Sequence, residues 1–356
     1  MNLFKANRQW STRPPDEQFT SLASLHHACE TYQAVAAQSH VRHGALQTVP
    51  SGDEVALQGT NGQQALMTHW AFGQLCARAA APASYLRDLP APLAVECLNH
   101  GLAAQHDPNE RALLMFHRNG NLLLRACTSD RYGRIWNADI TRRLLALEQA
   151  GPWQPAPEAA GGSRGLYASD HDMFAFLIDN DRRVRESLPG GGLARGFFCW
   201  NSEVGAASFG VMTFLYEFIC GNHVVWGAKG VRELRVRHVG NADARAFREL
   251  NVELREYADS SASDEEAQIT RAMQYQLGKD KDAVLDAVFR LRVPALPRKR
   301  AEEAYVLAEQ HEDWYGSPRS AWGFANGLTQ LSQTIPYADE RLAVDRAAGK
   351  VLEVAF

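Results

Sequence analysis

Lysine is scarce in this chain: of 37 basic residues only 6 are lysine, so arginine supplies almost all the positive charge. Arginine suits bidentate phosphate contacts and stacking, although codon usage in a GC-rich genome gives the same ratio. Long uncharged apolar runs are missing too. The densest one, residues 206–227 (AASFGVMTFLYEFICGNHVVWG), carries Glu217 in its middle and then Gly221, Asn222 and His223. A membrane span needs about 20 nearly uncharged residues, so no membrane role is expected. The first residues, MNLFKANRQWSTRPPDEQ, hold neither an apolar h-region nor a cleavage site, which argues against secretion and for a cytoplasmic protein. Six cysteines are scattered without paired spacing, which excludes a disulfide framework or a zinc ribbon and points to reduced, buried thiols.

Complete catalytic motifs are lacking as well. Residues 206–210 (AASFG) imitate a nucleophile elbow with alanine where the first glycine belongs. Residues 227–230 (GAKG) are too short for a phosphate-binding loop, and the glycines at 190–192 have no matching strand–helix unit. Cys220 and His223, with His26, His27 and Cys29, give the nearest approach to a metal set, but nothing orients them. Asp170 and Asp172 flank His171 and read as caps of a helix over residues 173–178 rather than as an acid/base pair. Neither a reaction nor a cofactor is expected.

What is present reads as α+β: a mixed, largely antiparallel sheet with packed helices and a helical C-terminal region. Residues 1–60 form an N-terminal extension and 61–257 the α+β core, with a Pro/Gly-rich loop at 151–163. Residues 258–356 are helical. Helical spacing predicts helices over 67–78, 209–219, 265–290 and 300–311. Strands are expected at 113–117 and 121–127, turned by Arg118-Asn119-Gly120, an Asn-Gly hairpin signal. Further strands are expected around 197–200, 223–226 and 231–238.

Charge falls in blocks. Residues 182–255 hold 11 basic against 7 acidic residues, and 256–289 hold 3 against 8. Residues 290–300 add 5 basic residues and no acid, and 301–356 hold 4 against 9. A total of −4 therefore conceals basic segments. In RACTSDRYGRIWNADITRR, Arg125, Arg131 and Arg134 surround Tyr132 and Trp136. That interleaving fits a single-strand groove, where arginines track phosphates and rings stack on bases. In RELRVRH, Arg235 and Arg237 alternate with Leu234 and Val236, as on a half-exposed strand. An ordinary solvated strand with an aromatic anchor would read the same way.

Several stretches resemble one family. Residues 68–102, with AFGQLCARAAAPASYLRDLPAPLAVECLNHGL, are similar to the N-terminal signature of the phage/plasmid-like proteins, domain of unknown function 932. So are LLLRACTSDRYGRIWN, NSEVGAASF with FICGNHVVWG and RVRH, and SAWGFANGLTQLSQTIPYADE, in family order over about residues 60–345. The resemblance implies mobile-element DNA biology and carries no catalytic residues. By analogy with phage single-strand annealing proteins it implies a homo-oligomer around single-stranded DNA. A nucleic-acid partner is thus one expectation, with Arg125, Arg131, Tyr132, Arg134, Trp136, Arg235 and Arg237 as its site. The other is a regulatory or anti-defence protein whose acidic helices engage a host protein.

Overall fold

The computed structural model describes residues 17–59, 62–104, 110–119, 121–155, 165–184, 192–217, 223–224, 233–259, 263–291, 296–334 and 338–355. Gly190 and Gly191 of the 190–192 run, Cys220 and residues 227–230 lie outside them.

Helix α1 (Leu22–Ala34) starts at Ser21, whose Oγ accepts the Ser24 N–H at 3.1 Å in a reciprocal capping box. Six strands then build the first sheet: β1 (Ala36–Arg42), β2 (Thr48–Ser51), β3 (Glu54–Gln58), β4 (Gln64–Met67), β5 (Arg111–Asn119) and β6 (Asn121–Ser129). Their order is β1-β5-β6-β4-β3-β2, antiparallel except for β4 beside β6. Three of these strands precede residue 61. The expected N-terminal extension is therefore part of this sheet, tied in by the β1–β5 and β3–β4 ladders. Helices α2 (His69–Arg78), α3 (Ala83–Arg87) and α4 (Ala91–Ala104) cover one face through Leu75, Cys76, Leu86 and Leu98. Thr68 begins α2 by accepting the Ala71 N–H at 3.1 Å. The Asn-Gly hairpin is present, with Asn119 opposite Asn121.

Helix α5 (Asn137–Ala150) leads into the second sheet. Its strands are β7 (Trp153–Pro155), β8 (Leu166–Ala168), β9 (Met173–Val184), β10 (Leu193–Asn201), β11 (Phe209–Glu217), β12 (His223–Val224) and β13 (Glu233–Val236). The order is β12-β11-β10-β9-β7, with β13 also on β11 and β8 also on β9. One face packs on α1, α5 and α6 (Ala242–Asp259) through Leu25, Leu144, Phe197, Phe209 and Leu250.

Three expectations change here. Residues 209–217 are a strand, not a helix, because β11 is paired on both edges, and its described residues Phe209, Gly210, Val211 and Thr213 are buried. A strand buried on both faces is a continuous apolar run, and such a run satisfies helical spacing without being helical. Gly210 fits this position: a Cβ there would lie 2.1 Å from the Trp200 indole that covers it. Residues 173–178 likewise belong to β9, and residues 169–172 turn β8 into β9 instead of capping a helix. The start of the expected loop at 151–163 is a strand, with buried Trp153 opposite Asp179.

The C-terminal region is helical, as expected: α7 (Ser263–Gln274), α8 (Lys281–Arg290), α9 (Arg298–Gln310), α10 (Glu312–Tyr315), α11 (Ala321–Thr334) and α12 (Ala338–Glu353). The long helix expected over 265–290 is two, since Asp280 caps a new start through the Ala283 N–H at 2.9 Å. These helices share a core around Leu285, Trp322, Phe324 and Val351, which reaches the β9–β10 pair Val184 and Leu193. The fold class is α+β. No helix among the described residues is long and apolar enough to cross a membrane.

Candidate functional site

The two sheets meet at the loop that follows β10. An apolar strand, FFCW, runs into Asn201, Ser202 and Glu203, all three buried. Polar groups taken out of water must be satisfied inside the protein, and of the side-chain atoms of these three residues all but Asn201 Oδ1 find a partner among the described residues. The Asn201 amide donates to the Ile135 carbonyl at 2.8 Å and to Asn137 Oδ1 at 2.7 Å. Val204 carbonyl accepts from Trp70 Nε1 at 3.0 Å and Gln74 Nε2 at 2.7 Å, while Gln74 Oε1 accepts the Cys127 N–H at 2.8 Å. Val204 itself packs on Met115 and Ala126 of the first sheet.

Glu203 is the centre of this joint. Its Oε2 lies 3.3 Å from Arg125 Nη1, and its Oε1 accepts the Asn137 N–H at 2.8 Å. Its carbonyl accepts from Arg134 Nη1. Burial pushes the Glu203 carboxyl above its ordinary range, opposed by Arg125, the Asn137 N–H and Arg134. Arg125 has further acceptors: Nε and Nη2 both donate to the Asp170 carbonyl, and Nη1 donates to His117 Nε2 at 2.9 Å. A guanidinium cannot accept, so His117 Nε2 is the acceptor and its proton sits on Nδ1. Burial, with Arg125 alongside, lowers His117 to about 4. The Tyr32 ring covers this pair, with its centroid 5.8 Å both from the His117 ring and from the Arg125 guanidinium carbon.

The basic and aromatic residues singled out in the sequence thus divide. Arg125 and Arg134 are buried, so neither lines a groove; their charges serve Glu203 and backbone carbonyls. Arg134 also donates from Nε to Gln38 Oε1 at 3.1 Å and lies over the Tyr132 and Trp136 rings, and burial lowers it to about 10. Tyr132 stacks on His238 at 5.0 Å and donates its hydroxyl to the Ser202 carbonyl at 2.8 Å. Trp136 is half-buried against the joint. Arg131, Arg235 and Arg237 are exposed, while Val236 between the last two is buried, as the alternation predicts.

Those three exposed arginines come from two segments that the fold lays side by side. Tyr132 bridges to Val239 in antiparallel sense, and Gly133 N donates to the His238 carbonyl at 3.0 Å. Gly240 N donates to the Arg131 carbonyl at 3.3 Å. Contact is close enough to require glycine: a Cβ on Gly133 would stand 2.1 Å from the Gly240 carbonyl oxygen. From α6, Arg245 Nη2 donates to the Arg237 carbonyl at 2.9 Å. The result is an exposed arginine ribbon resting on the buried joint, with the exposed acids Asp130 and Asp243 at its margins.

A family model described as "Domain of unknown function (DUF932)" matches residues 126–335, more than half of the chain. The chain belongs to this family. The matched span of DUF932 begins one residue after Arg125 and takes in Glu203, both ribbon segments and helices α7 to α11. No curated protein and no solved structure matches the chain. Sequence reasoning missed Glu203, Asn201, His117 and His238. The available signal was three polar residues directly after an apolar strand.

The two histidines give the joint a pH dependence. His238 Nδ1 lies 3.2 Å from the Gly133 carbonyl, which can only accept, while Nε2 is buried with no partner among the described residues. Burial lowers His238 to about 4, Gly133 opposing and Arg134 assisting. The unfolded chain takes up this proton as pH falls below about 6.5, but the folded one holds off until about 4. Stability from this group is therefore complete above pH 6.5 and declines toward pH 4. Glu203 acts in the opposite sense, so a difference measurement isolates the histidine. In urea titrations at pH 7 and 4, His238→Phe should lose about 2–3 kcal/mol less than the unaltered protein. Equal losses would show that His238 is not held neutral.

Proposed function

We propose that this DUF932 protein binds nucleic acid, with single-stranded DNA of mobile elements as its substrate and strand annealing as the activity to test. The observation that carries the reading is the pairing of residues 131–133 with 238–240, which brings Arg131 beside the segment bearing Arg235 and Arg237. Three exposed guanidiniums on a hydrogen-bonded ribbon suit a phosphate backbone, because arginine engages phosphate bidentately and the ribbon fixes the spacing. The buried joint beneath holds that ribbon in one geometry without contributing contacts of its own.

The test is fluorescence anisotropy with a labelled single-stranded oligonucleotide at about 50 mM salt. Arg235→Glu combined with Arg237→Glu should weaken binding at least tenfold or so, with the circular dichroism spectrum unchanged. Undiminished binding by the folded double variant would remove the ribbon from the reading. No binding by the unaltered protein would end the reading itself and direct attention to a host-protein partner.

A further inference from the structure

Aromatic residues beside arginines usually suggest stacked bases. In this protein the rings are already occupied. One face of Tyr132 stacks on His238, with an interplanar angle of 8°, and the Arg134 guanidinium carbon lies 5.3 Å from its centroid. Its hydroxyl is fixed to the Ser202 carbonyl. The Trp136 ring takes the same guanidinium at 5.6 Å and packs with Val204, Met115 and Ala126. His238, the remaining ring of the ribbon, is buried. Swinging any of these rings outward would uncover Arg134 or open the joint around Glu203. What the ribbon offers to solvent is Arg131, Arg235 and Arg237.

From this we infer that the arginine ribbon recognises the phosphodiester backbone alone and leaves the bases unread and unstacked. The inference rests on the nucleic-acid reading above and narrows it: the ligand class is a phosphodiester polymer, whatever its bases. Bases left free along a bound strand remain available to pair with a second strand, which is the arrangement that annealing requires. A strand held through its phosphates is bound without regard to sequence, since phosphate contacts carry no sequence information.

The probe is an abasic oligonucleotide, a phosphodiester strand of tetrahydrofuran sugars, compared by anisotropy with a mixed-sequence single strand of equal length. A single stacked base contributes roughly fivefold or more to affinity. The expected result is that the abasic strand binds within about threefold of the base-bearing one. The Arg235→Glu, Arg237→Glu double variant should weaken both alike. Tight binding to the base-bearing strand with abasic binding weaker by more than about tenfold would overturn this inference and leave the nucleic-acid reading standing. Failure of both strands to bind would overturn the two together. No ring variant is needed, so the outcome does not depend on Tyr132 or Trp136 tolerating replacement.

Discussion

Glu203→Ala should destabilise the protein by about 3–5 kcal/mol, the cost of stranding a buried charge. Arg125 is 3% exposed and cannot reach water for compensation. Its remaining partners, the Asp170 carbonyl and His117 Nε2, are neutral acceptors. The same change strips the acceptor from the Asn137 N–H at the first turn of α5. Glu203→Gln separates the two effects: it retains an acceptor for Asn137 but not the charge, and should cost about half as much. Adding Arg125→Met to Glu203→Gln should recover part of the loss, because an apolar residue in place of a stranded cation removes the desolvation penalty. Urea unfolding midpoints read all three. A loss below about 1 kcal/mol for Glu203→Ala would mean that Arg125 finds water or another acid, and the joint would not be the keystone described above.

The second large effect is expected at Gly133. Substituting alanine sets a methyl group against the carbonyl of Gly240, with the Gly240 N and C both at 3.1 Å. Backbone atoms cannot rotate aside as a side chain can, so the two segments must part. Overpacking of this kind costs about 1–3 kcal/mol, and the lost Gly133–His238 and Gly240–Arg131 hydrogen bonds add to it. Gly44→Ala is the control, since a Cβ there has nothing within 4 Å and should leave stability unchanged. Thermal unfolding compares the two variants. If Gly133→Ala unfolds with the same midpoint as Gly44→Ala, the ribbon segments are not in contact.

Much of the scaffold was legible because local signals agreed with tertiary demands. The Asn-Gly pair marked the β5–β6 hairpin, helical spacing over 67–78 marked α2, and strict alternation at 234–237 placed Arg235 and Arg237 outside. Legibility failed where burial is two-sided. The run at 209–217 is apolar except for Gly210, Thr213 and Glu217, so periodicity had little to report, and β11 passed for a helix. The same cause concealed the roles of Arg125 and Arg134. On β6 the residues around Arg125 are buried on both faces, so alternation could not tell a buried arginine from an exposed one. What makes Arg125 structural is Glu203, 78 residues away in sequence, and no local pattern carries that distance. The Tyr132 and Trp136 rings misled for a related reason: an arginine beside an aromatic looks identical whether the ring faces a base or the protein's own guanidinium.

The most direct test of the account is the salt dependence of single-stranded oligonucleotide binding by the intact protein. If Arg131, Arg235 and Arg237 each neutralise a phosphate, log K against log salt should fall with a slope of about −2. Removing Arg235 and Arg237 together should reduce the slope to about −0.7. Binding with a slope near zero, or one unmoved by the double variant, would contradict the claim that this ribbon holds a phosphate backbone.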